Sequence, residues 1–248
     1  MAGIAIVIGI NQYQFVKRLN YARDDALKIK EFLETDGEVE SILLFTDDSP
    51  EIDGKPTIAT RSNLLNFFHS RFGNAFLRPE DNLWFFFSGH GARTAGQDYL
   101  LPIDGLAESV ADTGISVRFI TERLSRSGAG NILLILDGCR DVGDGGKGLS
   151  VLGEDTKNLV IENGLVSISA CSPNEQSWEV DELRQGIFTC AFLEALRDQK
   201  LRDCPADRQL LKTPRSRAKG PLPKAETKSL ARCGANSEGR FNLGAEKR

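Results

Sequence analysis

Histidine is almost missing from this chain: only His69 and His90 occur, so any chemistry that needs an imidazole must use one of these two. Long apolar runs are missing as well. The first, Ile4 to Ile10, covers seven residues and has no basic leader before it, against the roughly 20 apolar residues of a membrane-crossing helix. This argues against a membrane span and against a secreted origin. Cysteine is sparse and unpaired in pattern. The five residues, at 139, 171, 190, 204 and 233, are odd in number and lack the paired spacing of a zinc site, which favours reduced thiols in a cytoplasm over a disulfide frame or a metal centre. The glycine-rich stretch 141–149 lacks the Gly-x-x-x-x-Gly-Lys-Ser/Thr spacing of a phosphate loop. Gly9-Ile10-Asn11-Gln12-Tyr13 is likewise a poor dinucleotide turn, which counts against a flavodoxin-like nucleotide binder.

What the chain does contain suits a globular enzyme. Its 248 residues are 40% apolar, enough for a full core. Charge divides it in two. Residues 1–200 hold 19 Lys and Arg against 30 Asp and Glu, whereas residues 201–248 hold 12 against 5. The second segment has almost no apolar periodicity and reads as a basic, disordered or extended tail or linker. It has no interleaved aromatics, so a solvated tail is the better reading than a nucleic-acid contact. Within residues 1–200, short apolar runs (Ile4–Ile10, Ser41–Phe45, Leu83–Phe87, Ile132–Leu136, Leu165–Ser169) alternate with helical patterns at about 21–35, 60–73, 115–126 and 186–199. That rhythm predicts an α/β fold, a mostly parallel open sheet with helices on both faces, whose sites gather at the carboxyl ends of the strands.

Two strand ends carry reactive groups. Trp84-Phe85-Phe86-Phe87 leads into Ser88-Gly89-His90-Gly91, and 49 residues after that histidine Ile132 to Leu136 leads into Asp137-Gly138-Cys139-Arg140. A free thiol is only a few per cent ionised at neutral pH, so a nucleophilic cysteine needs an imidazole beside it. His69 lies beside the apolar stripe Leu64, Leu65, Phe68 and Phe72 and reads as a helix-surface histidine. His90, between two glycines, predicts a sharp backbone turn with open amides. Cys171, after another strand, is a rival nucleophile but has no glycine-flanked histidine box of its own and reads as a small core or pocket residue.

Phe87-Ser88-Gly89-His90-Gly91 and Leu136-Asp137-Gly138-Cys139-Arg140 resemble the histidine and cysteine boxes of caspase-like peptidases. Three further segments agree in order: Val7 to Asn11 with Leu19 to Ala26, Asp98 to Asp104, and Ser177-Trp178-Glu179 followed by Gly186 to Thr189. Among subfamilies the chain is most similar to the prokaryotic metacaspase-like proteins, or orthocaspases, over residues 4 to about 198. The resemblance implies a caspase-like three-layer sandwich and a cysteine endopeptidase with Cys139 as nucleophile and His90 as its proton partner. It also implies an oxyanion site made by the amides of Gly91 and Cys139, a contact worth roughly 3 to 4 kcal/mol in other proteases. Noncatalytic caspase-fold scaffold modules are the alternative, but they typically lose the histidine or the cysteine, and both are retained here.

Where caspases carry a glutamine and an arginine that bind a substrate aspartate, this chain has Asp137 and Glu179. Asp25 and Ser88 match further lining residues of metacaspase pockets, although Asp25 also fits a helix first-turn acid favoured by the dipole. A pocket floored by carboxylates repels aspartate and pairs with a guanidinium or ammonium group. The expected partners are therefore protein or peptide substrates with Arg or Lys at the cleaved bond, with no nucleic acid, no membrane and a monomer favoured over a dimer. Self-cleavage is expected at Arg140 or Lys147. No cofactor is required by the sequence. Calcium dependence is open, with Asp141, Asp144, Glu154 and Asp155 as candidate ligands in the absence of EF-hand spacing.

Overall fold

A computed structural model describes residues 3–37, 39–139, 154–170, 179–181 and 183–198. Five parallel strands form its centre: β1 (Gly3–Gly9), β2 (Ser41–Phe45), β3 (Asn82–Thr94), then β6 (Asn131–Cys139) and β7 (Val166–Ser169) after the short β4 (Gln97–Leu100) and β5 (Ile115–Ser116). They lie in the order β2-β1-β3-β6-β7. The far end of β3 leaves this sheet and pairs antiparallel with β4, which pairs with β5. A two-stranded ribbon, β8 (Glu179–Val180) and β9 (Gln185–Gly186), stands apart from the sheet. The helices are α1 (Ala22–Thr35), α2 (Arg61–Arg71), the single turn α3 (Val110–Thr113), α4 (Val117–Ser125), α5 (Glu154–Glu162) and α6 (Ile187–Asp198). No helix among the described residues is long and apolar enough to cross a membrane.

Every residue of β1 is buried, as expected of a central parallel strand covered on both faces. Alternation along the strands then sorts the core into two layers. Ile4, Ile6 and Ile8 join Leu83, Phe85, Phe87, Leu134 and Leu136 on one face, against Leu64 and Phe68 of α2, Ile120 and Leu124 of α4, and Leu159 and Val160 of α5. Ala5, Val7, Phe86 and Ile135 occupy the other, beneath Ile29, Phe32 and Leu33 of α1 and Phe188, Phe192 and Leu196 of α6. Truncating a core phenylalanine such as Phe85 to alanine would cost about 3 to 5 kcal/mol.

The two acids that bound Asp98 to Asp104 hold helices in place. Asp104 accepts the Arg61 N–H at 2.8 Å at the start of α2, where Thr60 supplies the N-cap. Asp98, fully buried, accepts the Thr156 amide at 2.9 Å and its hydroxyl at 2.7 Å at the start of α5. These are the donors that a helix cannot satisfy internally.

Candidate active site

The strand order reverses between β1 and β3: the chain steps from β1 to β2 on one side and to β3, β6 and β7 on the other. A crevice at the carboxyl ends of the strands follows from this topology. Both reactive positions lie there. In the ladder between β3 and β6, Ser88 is opposite Asp137, Gly89 opposite Gly138 and His90 opposite Cys139. The backbones of His90 and Cys139 are thus one strand spacing apart, about 4.8 Å, and alternation puts positions 88, 90, 137 and 139 on the face covered by α1 and α6.

The predicted sharp turn at His90 is absent. β3 continues through the Ser-Gly-His-Gly box to Thr94, and neither Gly89 nor Gly91 has a positive φ. Gly89 is small for another reason: a Cβ there would stand 2.5 Å from the Tyr13 hydroxyl. His90 is buried, and its Nε2 lies 2.7 Å from the Lys17 carbonyl. A carbonyl only accepts, so Nε2 carries a proton and Nδ1 holds the lone pair of the neutral ring. Lys17 went unrecognised in the sequence because its backbone, which has no residue signature, makes the contact. The loop bearing it is tied down by Asn11, which donates from Nδ2 to the Asn20 carbonyl at 2.9 Å and accepts the Arg23 N–H at 2.9 Å. Asp47 in turn accepts the N–H groups of Asn11 and Gln12.

Gly91 faces β6. The Ser88 carbonyl accepts from Ile10 N–H at 3.1 Å, on the β1 side of β3. Peptide groups alternate along a strand, so those of Gly89 and Gly91 turn toward β6.

Three of the four predicted pocket residues meet beside this pair. Asp25, Ser88 and Asp137 are all buried. Asp25 accepts the Gly186 N–H at 3.0 Å and the Ser88 hydroxyl at 3.4 Å. Asp137 accepts the Thr189 hydroxyl at 2.6 Å. A methyl group at Gly186 would stand 2.9 Å from Asp25 Oδ2 and 3.0 Å from Asp137 Oδ2, so both carboxylates border one small space. Asp25 is in the first turn of α1, as the dipole reading requires, but its carboxylate is bonded across to β3 and β9. The backbone of Glu179, the fourth pocket candidate, pairs with Gly186. Lys28 fastens the same ribbon to α1, donating to Gln185 Oε1 at 2.9 Å and to the Arg184 carbonyl at 3.2 Å.

Other candidates fall elsewhere. His69 accepts from Arg123 at 2.9 Å on the surface of α2, the place read for it. Asp155 is 3.6 Å from Arg118 and accepts the Asp98 N–H, so it serves the fold. Arg140, Asp141, Asp144, Lys147, Cys171 and the tail beyond 200 lie outside the described residues. Among the described residues no group of three or more His, Cys, Asp or Glu could hold a metal ion.

The family model described as caspase domain matches residues 2–219. The chain belongs to the caspase-domain family. The fold of this caspase domain recurs in a crystal structure of a Geobacter sulfurreducens protein, with a TM-score of 0.55 and 14% identity over 80% of this chain and 83% of that one. The Drosophila initiator caspase Dronc matches with a TM-score of 0.49 and 9% identity over 78% of this chain and 64% of that one. No curated protein matches. Membership places this caspase domain in a family of cysteine peptidases, a kind whose substrates are proteins.

Proposed function

We propose that the protein is a cysteine endopeptidase that cleaves after Arg or Lys, with Cys139 as nucleophile and His90 as its proton partner. The observation that carries this reading is the pairing of positions 90 and 139 across adjacent strands, two residue pairs beyond the Ser88–Asp137 step that begins an acid-lined pocket. A substrate guanidinium or ammonium group enters between Asp25 and Asp137, with Ser88 and Glu179 as further lining, and is held there by charge-assisted hydrogen bonds.

His90 Nδ1 takes the thiol proton, and the Cys139 thiolate attacks the carbonyl carbon of the residue in the pocket. The amides of Gly91 and Cys139 receive the developing oxyanion. As the tetrahedral intermediate collapses, the protonated imidazole gives its proton to the departing amine, leaving a thioester. Water, deprotonated by His90, then attacks the thioester and releases the acid and the thiol. Buried carboxylates near Cys139 disfavour its thiolate, so protonated His90 offsets them and a bound cation neutralises the pocket.

Cleavage of arginyl, lysyl and aspartyl peptides, with Cys139→Ala as control and with and without calcium, tests the reading. Turnover of the first two only, lost in Cys139→Ala, is expected. Equal turnover of arginyl and aspartyl peptides would sink the basic specificity. Self-cleavage at Arg140 or Lys147 is expected in the wild type and not in Cys139→Ala; equal fragments in both would exclude it.

A further inference from the structure

We propose that Tyr13 is a positioning residue for His90, holding its peptide where β3 changes partners; the inference rests on the peptidase reading above. The ladder between β1 and β3 ends at Gly9 opposite Ser88. The next peptide on that side of β3 belongs to His90, and β1 has no residue left to meet it. The Tyr13 hydroxyl takes the place of the strand: it accepts the His90 N–H at 2.7 Å and donates to the Leu101 carbonyl at 3.3 Å. Leu101 N–H donates to the His90 carbonyl at 2.9 Å, so both polar groups of His90 are fixed from this one side. The Tyr13 and His90 rings also touch, with centroids 4.6 Å apart at 50°.

Tyr13 is 2% exposed and His90 1%, so the hydroxyl and the peptide it holds are both shielded from bulk water. The sequence carries the mark of this contact in Gly89, whose missing side chain leaves the space that the hydroxyl fills. Tyr13 and Lys17 share one loop, which is braced by the bond from Gln14 N–H to the Ile103 carbonyl at 3.0 Å. That loop therefore grips His90 twice, at the peptide through Tyr13 and at Nε2 through Lys17. Loss of the first grip loosens the second, and Nδ1 loses the fixed orientation that the peptidase reading requires of it. Misplacement of a reacting group by about 1 Å costs on the order of 100-fold in rate.

The test uses the full chain with Tyr13→Phe, which keeps the ring, and Tyr13→Leu, which removes it. Three experiments are run: kinetics for kcat and KM on an arginyl peptide, the pH dependence of Cys139 alkylation by iodoacetamide, and the ring-nitrogen NMR shifts of His90. With two histidines in the chain, His69→Asn assigns the spectrum. Tyr13→Phe is expected to lower kcat about tenfold with KM within about twofold, to move the alkylation profile, and to shift His90 away from a single Nε2–H tautomer. Tyr13→Leu is expected to do more; should it fail to fold, Tyr13→Phe still decides. Nitrogen shifts in Tyr13→Phe that match the wild type would overturn the proposal, whether or not kcat falls. If the wild type cleaves no peptide, the peptidase reading fails, while the His90 shifts still decide the role of Tyr13.

Discussion

Asp137→Asn is the perturbation that asks most directly whether the acidic pocket recognises a cation. Asparagine keeps the shape of the side chain and retains an oxygen to accept from Thr189, whose hydroxyl lies 2.6 Å from Asp137 Oδ2. What it removes is one of the two charges bordering the space beside Gly186. A hydrogen bond to a charged group in a folded protein is worth about 1.5 to 3 kcal/mol. At about 1.4 kcal/mol per factor of ten, the expected fall in kcat/KM on an arginyl peptide is roughly 10- to 150-fold. The assay compares arginyl with citrullyl peptides, which share a shape and differ in charge. The wild type should prefer arginine, and Asp137→Asn should lose most of that preference while citrullyl turnover changes little. An equal fall on both peptides would refute the reasoning, because the carboxylate would then be serving the fold and not the substrate's charge.

Three further outcomes follow from the geometry. Thr156→Val removes a hydroxyl bonded to the fully buried Asp98 carboxylate and should destabilise the fold by about 1 to 3 kcal/mol, read as a lower urea midpoint with an unchanged slope. Burial, and next the nearby Glu194 carboxylate, push the Cys190 thiol above its ordinary range; at pH 7 it should resist iodoacetamide, and peptide mapping that finds it labelled as fast as an exposed thiol would contradict this. The Arg23 guanidinium, bonded at 2.8 Å, holds the Asp48 carboxyl below its ordinary value. A depressed acid stabilises the fold above its unfolded pKa and loses that contribution as pH falls through the folded one. Because the pair is largely exposed, Asp48→Asn should cost under about 1 kcal/mol at pH 7, and the difference from wild type should vanish on acidification below that range.

The five apolar runs and the four helical patterns were legible because a sheet covered by helices selects continuous hydrophobicity, most fully in β1, and amphipathic helices keep their period. β4, β5 and α5 were not. The two strands are short and pair outside the parallel core, and α5 is fixed largely from outside itself, by Asp98 at its start. The Ser-Gly-His-Gly box read as a turn because small and polar residues usually break strands. Here β3 runs on through it, with Gly89 making room for Tyr13.

The sequence by itself determined which side chains can do chemistry: two histidines narrow the choice of imidazole, and carboxylates at 25 and 137 fix the sign of the pocket. The tertiary structure alone decided their meeting. Parallel register sets residue 90 opposite 139, α1 and the β9–α6 junction bring Asp25, Gly186 and Thr189 to the end of the sheet, and the Lys17 carbonyl selects the imidazole tautomer. Contacts made by backbone groups, and contacts between residues up to 161 positions apart, leave no periodic trace in a sequence, because any residue type supplies the first and only the fold sets the second.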